Sequence, residues 1–423
     1  MKNCLVLLTS EYPFGKGETF LESEMPFHEK RFDKIIIIAV DAAPDSAATR
    51  TAPSNADCFN AQDGCSAHVR YTDVIRGATH IFKSSDYVKK EKKYIGGSIA
   101  KRVFLEYFLE RADREYKKCA EILSGYDFSE YDSVTVYSYW LFVTAMIGSR
   151  LKDDIKKFCP RVKFISRAHR YDLYEDRNSL KYLPMREYLL DKTDAVYPCS
   201  LDGEKHLRDN FPNYASKINC SFLGTRDCGR AGASLGELHI VSCSNVIAVK
   251  RLDLIVESLA LLKDSGIKLR WTHIGDGKLL PDIKKRAQDK LGFMQTDFKG
   301  RLGNSEVLDF YRTEGADIFV NVSSSEGIPV SLMEAASFGI PMIATDVGGT
   351  GEIVEDGYDG ILLPCDFKPC ELSEAIKRYG ALTAAERIAY RDNSRKKWED
   401  CFNAQRNYSE FSDMLLDFDG LKV

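Results

Sequence analysis

The chain is poor in the features that mark several large protein classes. Its apolar runs are short: Ile35 to Val40 and Trp140 to Ile147 fall far below the ~20 residues that a membrane-crossing helix needs. The opening Met1-Lys2-Asn3-Cys4-Leu5-Val6-Leu7-Leu8 is too brief for a secretory signal, so a cytoplasmic protein is expected. Neither charge sign dominates. With 59 Lys and Arg against 63 Asp and Glu, the formal net charge is -4, which excludes the global basic field of a nucleic-acid binder. The 12 cysteines contain no C-x-x-C pair, which argues against a zinc ribbon or a thioredoxin-like motif. Reduced thiols are the expectation for a chain of this size. There is no internal repeat and no low-complexity tract.

What is present suits two cores, since 423 residues exceed one ordinary domain. Cys4 to Leu8, Ile35 to Val40, Ser133 to Ser138, Val162 to Ser166 and Ala195 to Pro198 read as buried parallel strands, with a helix near Phe20 to Phe32. Residues 41 to 70 show almost no periodicity and read as a surface excursion. Gly224, Gly229, Gly232 and Gly236 mark a boundary, giving domains 1–228 and 236–397. Strands at Leu238 to Ser242, Leu269 to Ile274, Asp317 to Val322 and Met342 to Thr345 alternate with helices and predict a second parallel sheet. Residues 83 to 120 combine Val103, Phe104, Tyr107 and Phe108 with Lys101, Arg102, Arg111 and Arg114. Such a basic amphipathic segment reads as an ordinary domain helix or as a peripheral membrane contact.

The most informative pair is Glu326 and Glu334. Pro329 to Phe338 reads as a short helix, with Ser323, Ser324 and Ser325 as capping candidates and Gly339 as its stop. Val330, Leu332, Met333, Ala335, Ala336 and Phe338 make the helix apolar nearly all round, hence buried. An ionised Glu334 there is costly without a partner. A ribose, with two adjacent hydroxyls, would meet that need. Glu326 precedes a helix N-terminus whose bare N–H groups at Val330 and Ser331 attract anions. A carboxylate for each of two sugars, with anion-binding N–H groups between them, suggests a nucleotide-sugar site. The strand Ile340 to Thr345 and the turn Asp346-Val347-Gly348-Gly349-Thr350-Gly351-Glu352 follow, as at the ligand-binding edge of an open α/β sheet. Lys250 and Arg251 open another helix, where a cation opposes the dipole unless an anion such as a diphosphate sits there.

The run from Ser323 to Pro364 resembles the signature of retaining GT-B glycosyltransferases of the family 4 type, with its E-x7-E motif. Ser325-Glu326-Gly327, Glu334-Ala335, Gly339-Ile340-Pro341, Gly348-Gly349, Glu352, Gly357 and Gly360 agree with it in order. The resemblance implies an α/β fold of two Rossmann-like domains whose parallel sheets face an interdomain cleft, with the terminal helix, about 398–423, packed back on the first domain. It implies that Glu326 contacts the transferred sugar, that Glu334 holds the ribose, and that Gly327, Ile328, Val330 and Ser331 line the donor site. Ser166 to Asp172 resembles the R-x-H-x-x-D stretch of the family, so His169 is expected near the transferred sugar with Asp172 orienting its loop. Gly15, Gly17 and Glu18 resemble the N-terminal loop that approaches a phosphate or the acceptor. Gly300-Arg301-Leu302 falls where the family meets the nucleotide base, and Gly275-Asp276-Gly277 is a structural turn.

One departure stands out. The family carries an Arg a few positions before the Lys of its phosphate loop, whereas Ser244 and Asn245 occupy that region here and Arg251 is the compensating candidate. The expected reaction moves a hexose from a UDP- or GDP-sugar to a glycan or lipid-linked acceptor, in bacterial cell-surface polysaccharide synthesis. His169, Glu326 and Lys250 are its catalytic candidates. Domain closure is expected to bring His169 toward Glu326. No cofactor beyond the donor co-substrate, no metal and no nucleic acid is implied. The D-x-D at Asp417-Phe418-Asp419 and the calcium-like Glu355 to Gly360 read as a terminal run and a turn. A non-catalytic accessory subunit and a nucleotide-sugar epimerase are the alternatives.

Overall fold

A computed structural model describes residues 1–62, 86–232 and 236–418. The chain forms two compact units, Met1–Phe222 with Tyr408–Val423, and Leu223–Asn407. Each contains a six-stranded sheet in which every pairing is parallel. The expected α/β architecture, with two Rossmann-like sheets, is what the chain adopts.

The first unit uses β1 (Asn3–Thr9), β2 (Lys34–Ala39), β3 (Ala56–Asn60), β4 (Ser133–Ser138), β5 (Val162–Ala168) and β6 (Ala195–Pro198). Their order is β3-β2-β1-β4-β5-β6. Successive strand residues point to opposite faces. Val6, Leu8, Ile36 and Ile38 therefore join one core, with Phe108 and Leu109 of the helix Ile99–Leu123. Leu5, Leu7, Ile35 and Ile37 join the other, with Leu21 and Met25 of the helix Leu21–Glu29. Burial on both faces explains the unbroken apolar runs.

β3 corrects the expectation of a structureless excursion over residues 41 to 70, of which 63–70 lie outside the described residues. It is an edge strand, half-buried along most of its length, so it carries no apolar run for periodicity to detect. The segment from 83 to 120 is described from Asp86. Its apolar side packs on the sheet: Phe108 is buried and Phe104 lies against the same core, while Val103 stays exposed. It is thus a domain helix whose buried apolar side belongs to this unit's core. No helix among the described residues is long and apolar enough to cross a membrane.

The second unit uses β7 (Leu238–Cys243), β8 (Leu269–Ile274), β9 (Gln295–Gly300), β10 (Ile318–Asn321), β11 (Met342–Thr345) and β12 (Gly360–Leu363), in the order β12-β11-β10-β7-β8-β9. The boundary falls at Phe222 and Leu223 because residues just after it pair within this unit. Thr225 N donates to Phe402 O at 2.9 Å, and Trp398 Nε1 donates to Thr225 Oγ1 at 2.7 Å. Trp398 and Phe402 are buried here, whereas Phe411 and Leu415 are buried in the first unit's core. Asp419 of the D-x-D lies outside the described residues.

Candidate functional site

Strand order in the second sheet reverses between β7 and β10. Loops leaving the C-terminal ends of two such strands diverge and open a crevice. A pocket of about 450 Å³ lies there, built from this unit alone. Asn245, Lys250, Arg301, Leu302, Glu326, Ile328, Val330, Ser331 and Glu334 all line it.

Glu334 sits on the helix Val330–Ser337 among Leu332, Met333, Ala335 and Ala336, all fully buried. It is itself 8% exposed, and its Oε1 accepts a hydrogen bond from Asn304 Nδ2 at 2.5 Å. Burial raises its pKa from the usual carboxylate range to about 7, and the Asn304 amide opposes that rise. No cation offsets the charge. A carboxyl group poised between its two protonation states in a pocket wall is characteristic of a ligand-binding position.

Glu326 follows β10. Its Oε1 accepts from Lys250 Nζ at 2.5 Å and from Asn321 Nδ2 at 3.3 Å. Four residues further on, the helix begins at Val330 with Pro329 as its N-cap residue and no side-chain cap. Pro329, not Ser323 to Ser325, stands at this terminus. Ser323 instead donates its hydroxyl to Asn321, and Thr345 Oγ1 donates to Ser323 O at 2.5 Å. Val330 and Ser331, which line the pocket, thus stand in the first turn of a helix with no side-chain cap, where backbone N–H groups lack intrahelical partners.

Backbone packing holds the loops in place. Gly348 has φ +55°, and a Cβ there would lie 2.2 Å from the carbonyl oxygen of Glu326. Gly349 N donates to Gly327 O at 2.7 Å, so Gly327 serves the turn and does not line the pocket. On the other side, a Cβ at Gly275 (φ +145°) would lie 1.9 Å from Ser244 O, and Val246 N donates to Asp276 O at 2.9 Å. The glycine turn Gly275-Asp276-Gly277 thus shapes the Ser244–Val246 loop.

Arg251 departs from its expected place. It is the N-cap residue of the helix Leu252–Ala260 with φ +50°, and Lys250 ends a preceding 3-10 turn, Ala248–Lys250. The left-handed residue turns the Arg251 guanidinium away from the pocket. It donates to the carbonyls of Val322 at 2.7 Å, Cys365 at 2.6 Å and Ser323 at 3.1 Å and lies over Phe367. Arg251 is therefore a brace for the β10 loop and not a replacement for the absent phosphate-loop Arg. Asn304 was missed by sequence reasoning. At the start of the helix Asn304–Thr313 a polar residue signals only a helix end.

The remaining candidates belong to the first unit. His169 follows β5, and its backbone N–H donates to Asp172 Oδ1 at 2.6 Å while Leu141 N donates to Asp172 Oδ2 at 2.6 Å. Asp172 thus fixes this loop, as expected. Burial, and next the Arg167 charge, lower the His169 pKa to about 3. Its imidazole is neutral, and Nε2 is buried without a hydrogen-bond partner. The loop after β1 does not fit a phosphate. Glu18 carboxylate oxygens accept from the backbone N–H groups of Ser10, Glu11 and Tyr12 at 2.7, 2.8 and 2.8 Å, and from Trp140 Nε1 at 2.7 Å. Gly17 N donates to Glu11 Oε2 at 3.0 Å, and a Cβ at Gly15 would collide with Glu11. The donors expected to meet a phosphate already hold protein carboxylates.

Residues 230–397 match the family model of glycosyl transferases group 1. An uncharacterised glycosyltransferase of Methanocaldococcus jannaschii is 26% identical over 287 residues, 66% of this chain and 76% of the relative. An O-antigen biosynthesis glycosyltransferase of Escherichia coli, WbnH, is 26% identical over 171 residues, 40% of this chain and 47% of that protein. The chain therefore spans about half of the latter relative. Among solved structures, Anabaena HepE in complex with UDP and glucose superposes with a TM-score of 0.62 over 98% of this chain and 99% of the other, at 13% identity. At that identity the likeness concerns the fold.

Proposed function

We propose that this chain is a GT-B glycosyltransferase that carries out a retaining transfer of a hexose from a UDP- or GDP-sugar to a hydroxyl of a glycan or lipid-linked glycan, in the building of a cell-surface polysaccharide. The observation that carries the reading is Glu334: a carboxyl group sealed in an apolar helix, facing a pocket, with one amide partner and no cation. A nucleoside's vicinal hydroxyls supply the donors it lacks. HepE, which shares the fold, was solved with UDP and glucose, and WbnH is named for O-antigen biosynthesis; both support the donor and product classes.

In this reading Lys250 and the Val330 and Ser331 N–H groups take the diphosphate, and Glu326, released from Lys250, takes the sugar hydroxyls. Cleavage breaks the bond between the anomeric carbon and the β-phosphate oxygen. The acceptor oxygen bonds the same face of that carbon, and its proton passes to the departing phosphate. The fixed positive field of Lys250 and the helix end stabilises charge that grows on that oxygen. Donor turnover measured as nucleotide release should fall about 100-fold or more in Glu326→Ala and in Lys250→Ala. Near-normal transfer by both variants would defeat the assignment.

One observation favours a second reading, a non-catalytic accessory subunit. Arg251 is held by backbone carbonyls, which leaves Lys250 and Arg301 as the pocket's cations. Calorimetry with UDP and GDP separates the two, because an accessory subunit binds neither.

A further inference from the structure

A cavity of about 640 Å³ lies within the first unit and takes no part in the site described above. Its lining comes from the last turns of two helices, Ile99–Leu123 and Val143–Ile155, and from the segments that lead from them into β4 and β5. It therefore sits at the amino ends of β4 and β5, whereas open parallel sheets bind their substrates at the carboxyl ends. Its volume is that of a ligand pocket, a range of roughly 300–1,000 Å³.

Leu123, Phe128, Leu151 and Ile155 form the apolar wall, and all four are buried members of the unit's core. Two further rings complete it. Tyr126 is held firmly: its hydroxyl donates to Asp57 Oδ2 at 2.6 Å, and its ring lies 6.3 Å from those of Phe59 and Phe128. Phe158, by contrast, is 63% exposed. A ring left in water beside an apolar cavity offers surface that an apolar ligand covers with gain.

The balance of charge around this wall is negative. Both helices direct their carboxyl ends here, and each such end carries about half a negative elementary charge. The last turn of Ile99–Leu123 contains no basic residue to offset it. Asp127 adds a full charge. Its Oδ1 accepts from the N–H and the hydroxyl of Ser129 at 2.9 and 2.6 Å, and no cation acts on it among the described residues. Asp154 and Lys157 balance each other, with Nζ 2.7 Å from Oδ1. What remains is an apolar, partly aromatic cleft in a negative field.

We propose that this cavity is a binding site for a hydrophobic ammonium ion, its apolar body against Phe128, Leu151 and Ile155 and its charge beside Asp127 and the end of the helix Ile99–Leu123. An anion meets Asp127 and the helix ends with the wrong sign, and a neutral apolar ligand leaves Asp127 unanswered. The rings of Tyr126 and Phe158 strengthen the preference, because an aromatic face attracts a cation. The site is independent of the glycosyltransferase reading and stands whatever the donor pocket binds.

Probes of nearly one shape and different charge test it: naphthylmethylamine, naphthylmethanol and naphthylacetate, titrated calorimetrically into the intact protein at neutral pH, where the amine is protonated. The amine should bind saturably and at least tenfold more tightly than the alcohol or the carboxylate. Asp127→Asn keeps an oxygen for Ser129 and removes the charge, so amine affinity should fall to within about threefold of that for the alcohol. Phe158→Ser removes an exposed ring without loss of core and should weaken amine and alcohol alike, by at least threefold. Thermal unfolding at the parent temperature shows both variants to be folded. The proposal is overturned if the alcohol or the carboxylate binds as tightly as the amine, if no probe binds saturably, or if both variants titrate like the parent. It is equally overturned if sedimentation reveals a dimer that Phe158→Ser dissociates, because a second copy of the chain then covers this face.

Discussion

Glu334 sets the most direct residue-scale prediction. Its folded pKa, about 7, lies above that of an unfolded Glu, so the folded chain retains this proton in a window where the unfolded chain has lost it. The linked stability is fully present below about pH 4.5 and is lost as pH rises through 7. Binding runs the opposite way, because a diol donates to the ionised carboxylate. UDP affinity of the parent relative to Glu334→Gln should rise with pH toward 7, by at most about tenfold per pH unit, and flatten above it. Asn304→Ala removes the one bond that favours ionisation and should move that inflection to higher pH. Calorimetric titrations of the three proteins across pH 5 to 8 check both; superimposable profiles would remove Glu334 from the ribose. The burial of this residue in an apolar helix was legible from sequence, since Val330, Leu332, Met333, Ala335 and Ala336 surround it there. Asn304 was not, because its contact joins residues 30 apart and no local pattern records it. The same holds for Arg251 and Glu18, whose types were noted correctly and whose partners are distant carbonyls or neighbouring N–H groups that compete with a ligand.

At the scale of elements, strands and helices were read well wherever burial on both faces left an apolar run, as in β1, β2 and β4. They were missed where an edge strand is half-exposed, as in β3. Turn geometry was harder. The left-handed φ of Arg251 moves Lys250 into a 3-10 turn, and nothing in Lys250-Arg251-Leu252 announces that a non-glycine residue adopts it. Gly348 was legible only as part of a glycine-rich turn; its specific task is the close approach to the Glu326 carbonyl. Gly348→Ala adds a Cβ with positive φ at 2.2 Å from that oxygen, so either the turn or the Glu326 loop must shift. Donor transfer should fall at least tenfold, with a stability loss of about 1–3 kcal/mol. Thermal melting and nucleotide-release kinetics measure the two effects, and a variant equal to the parent in both would show that the turn does not hold Glu326.

For the whole molecule, the two units are not two consecutive stretches of chain. The last helix, Ala404–Leu416, contributes Phe411 and Leu415 to the first unit's core, with Arg167 stacked 3.8 Å over Phe411 and Ser412 Oγ 2.8 Å from His28 Nδ1. A few residues earlier, Trp398 is fully buried in the second unit. The amphipathic aromatic pattern of this tail was visible in sequence, whereas the point at which it changes unit was not, since both segments have the same period. Substitutions close together in the tail should therefore act on different units. Removing a large buried ring costs about 3–5 kcal/mol, so Phe411→Ala should lower the unfolding transition of the first unit while UDP affinity stays at the parent value. Trp398→Ala should destabilise the second unit by a similar amount and weaken UDP binding. Calorimetric unfolding with and without saturating UDP distinguishes the transitions, because the nucleotide raises only the one that holds its site. If Phe411→Ala instead abolished UDP binding at a temperature where the second unit remains folded, the pocket would depend on the first unit, and the donor site could not be the self-contained structure of residues 223–407 described above.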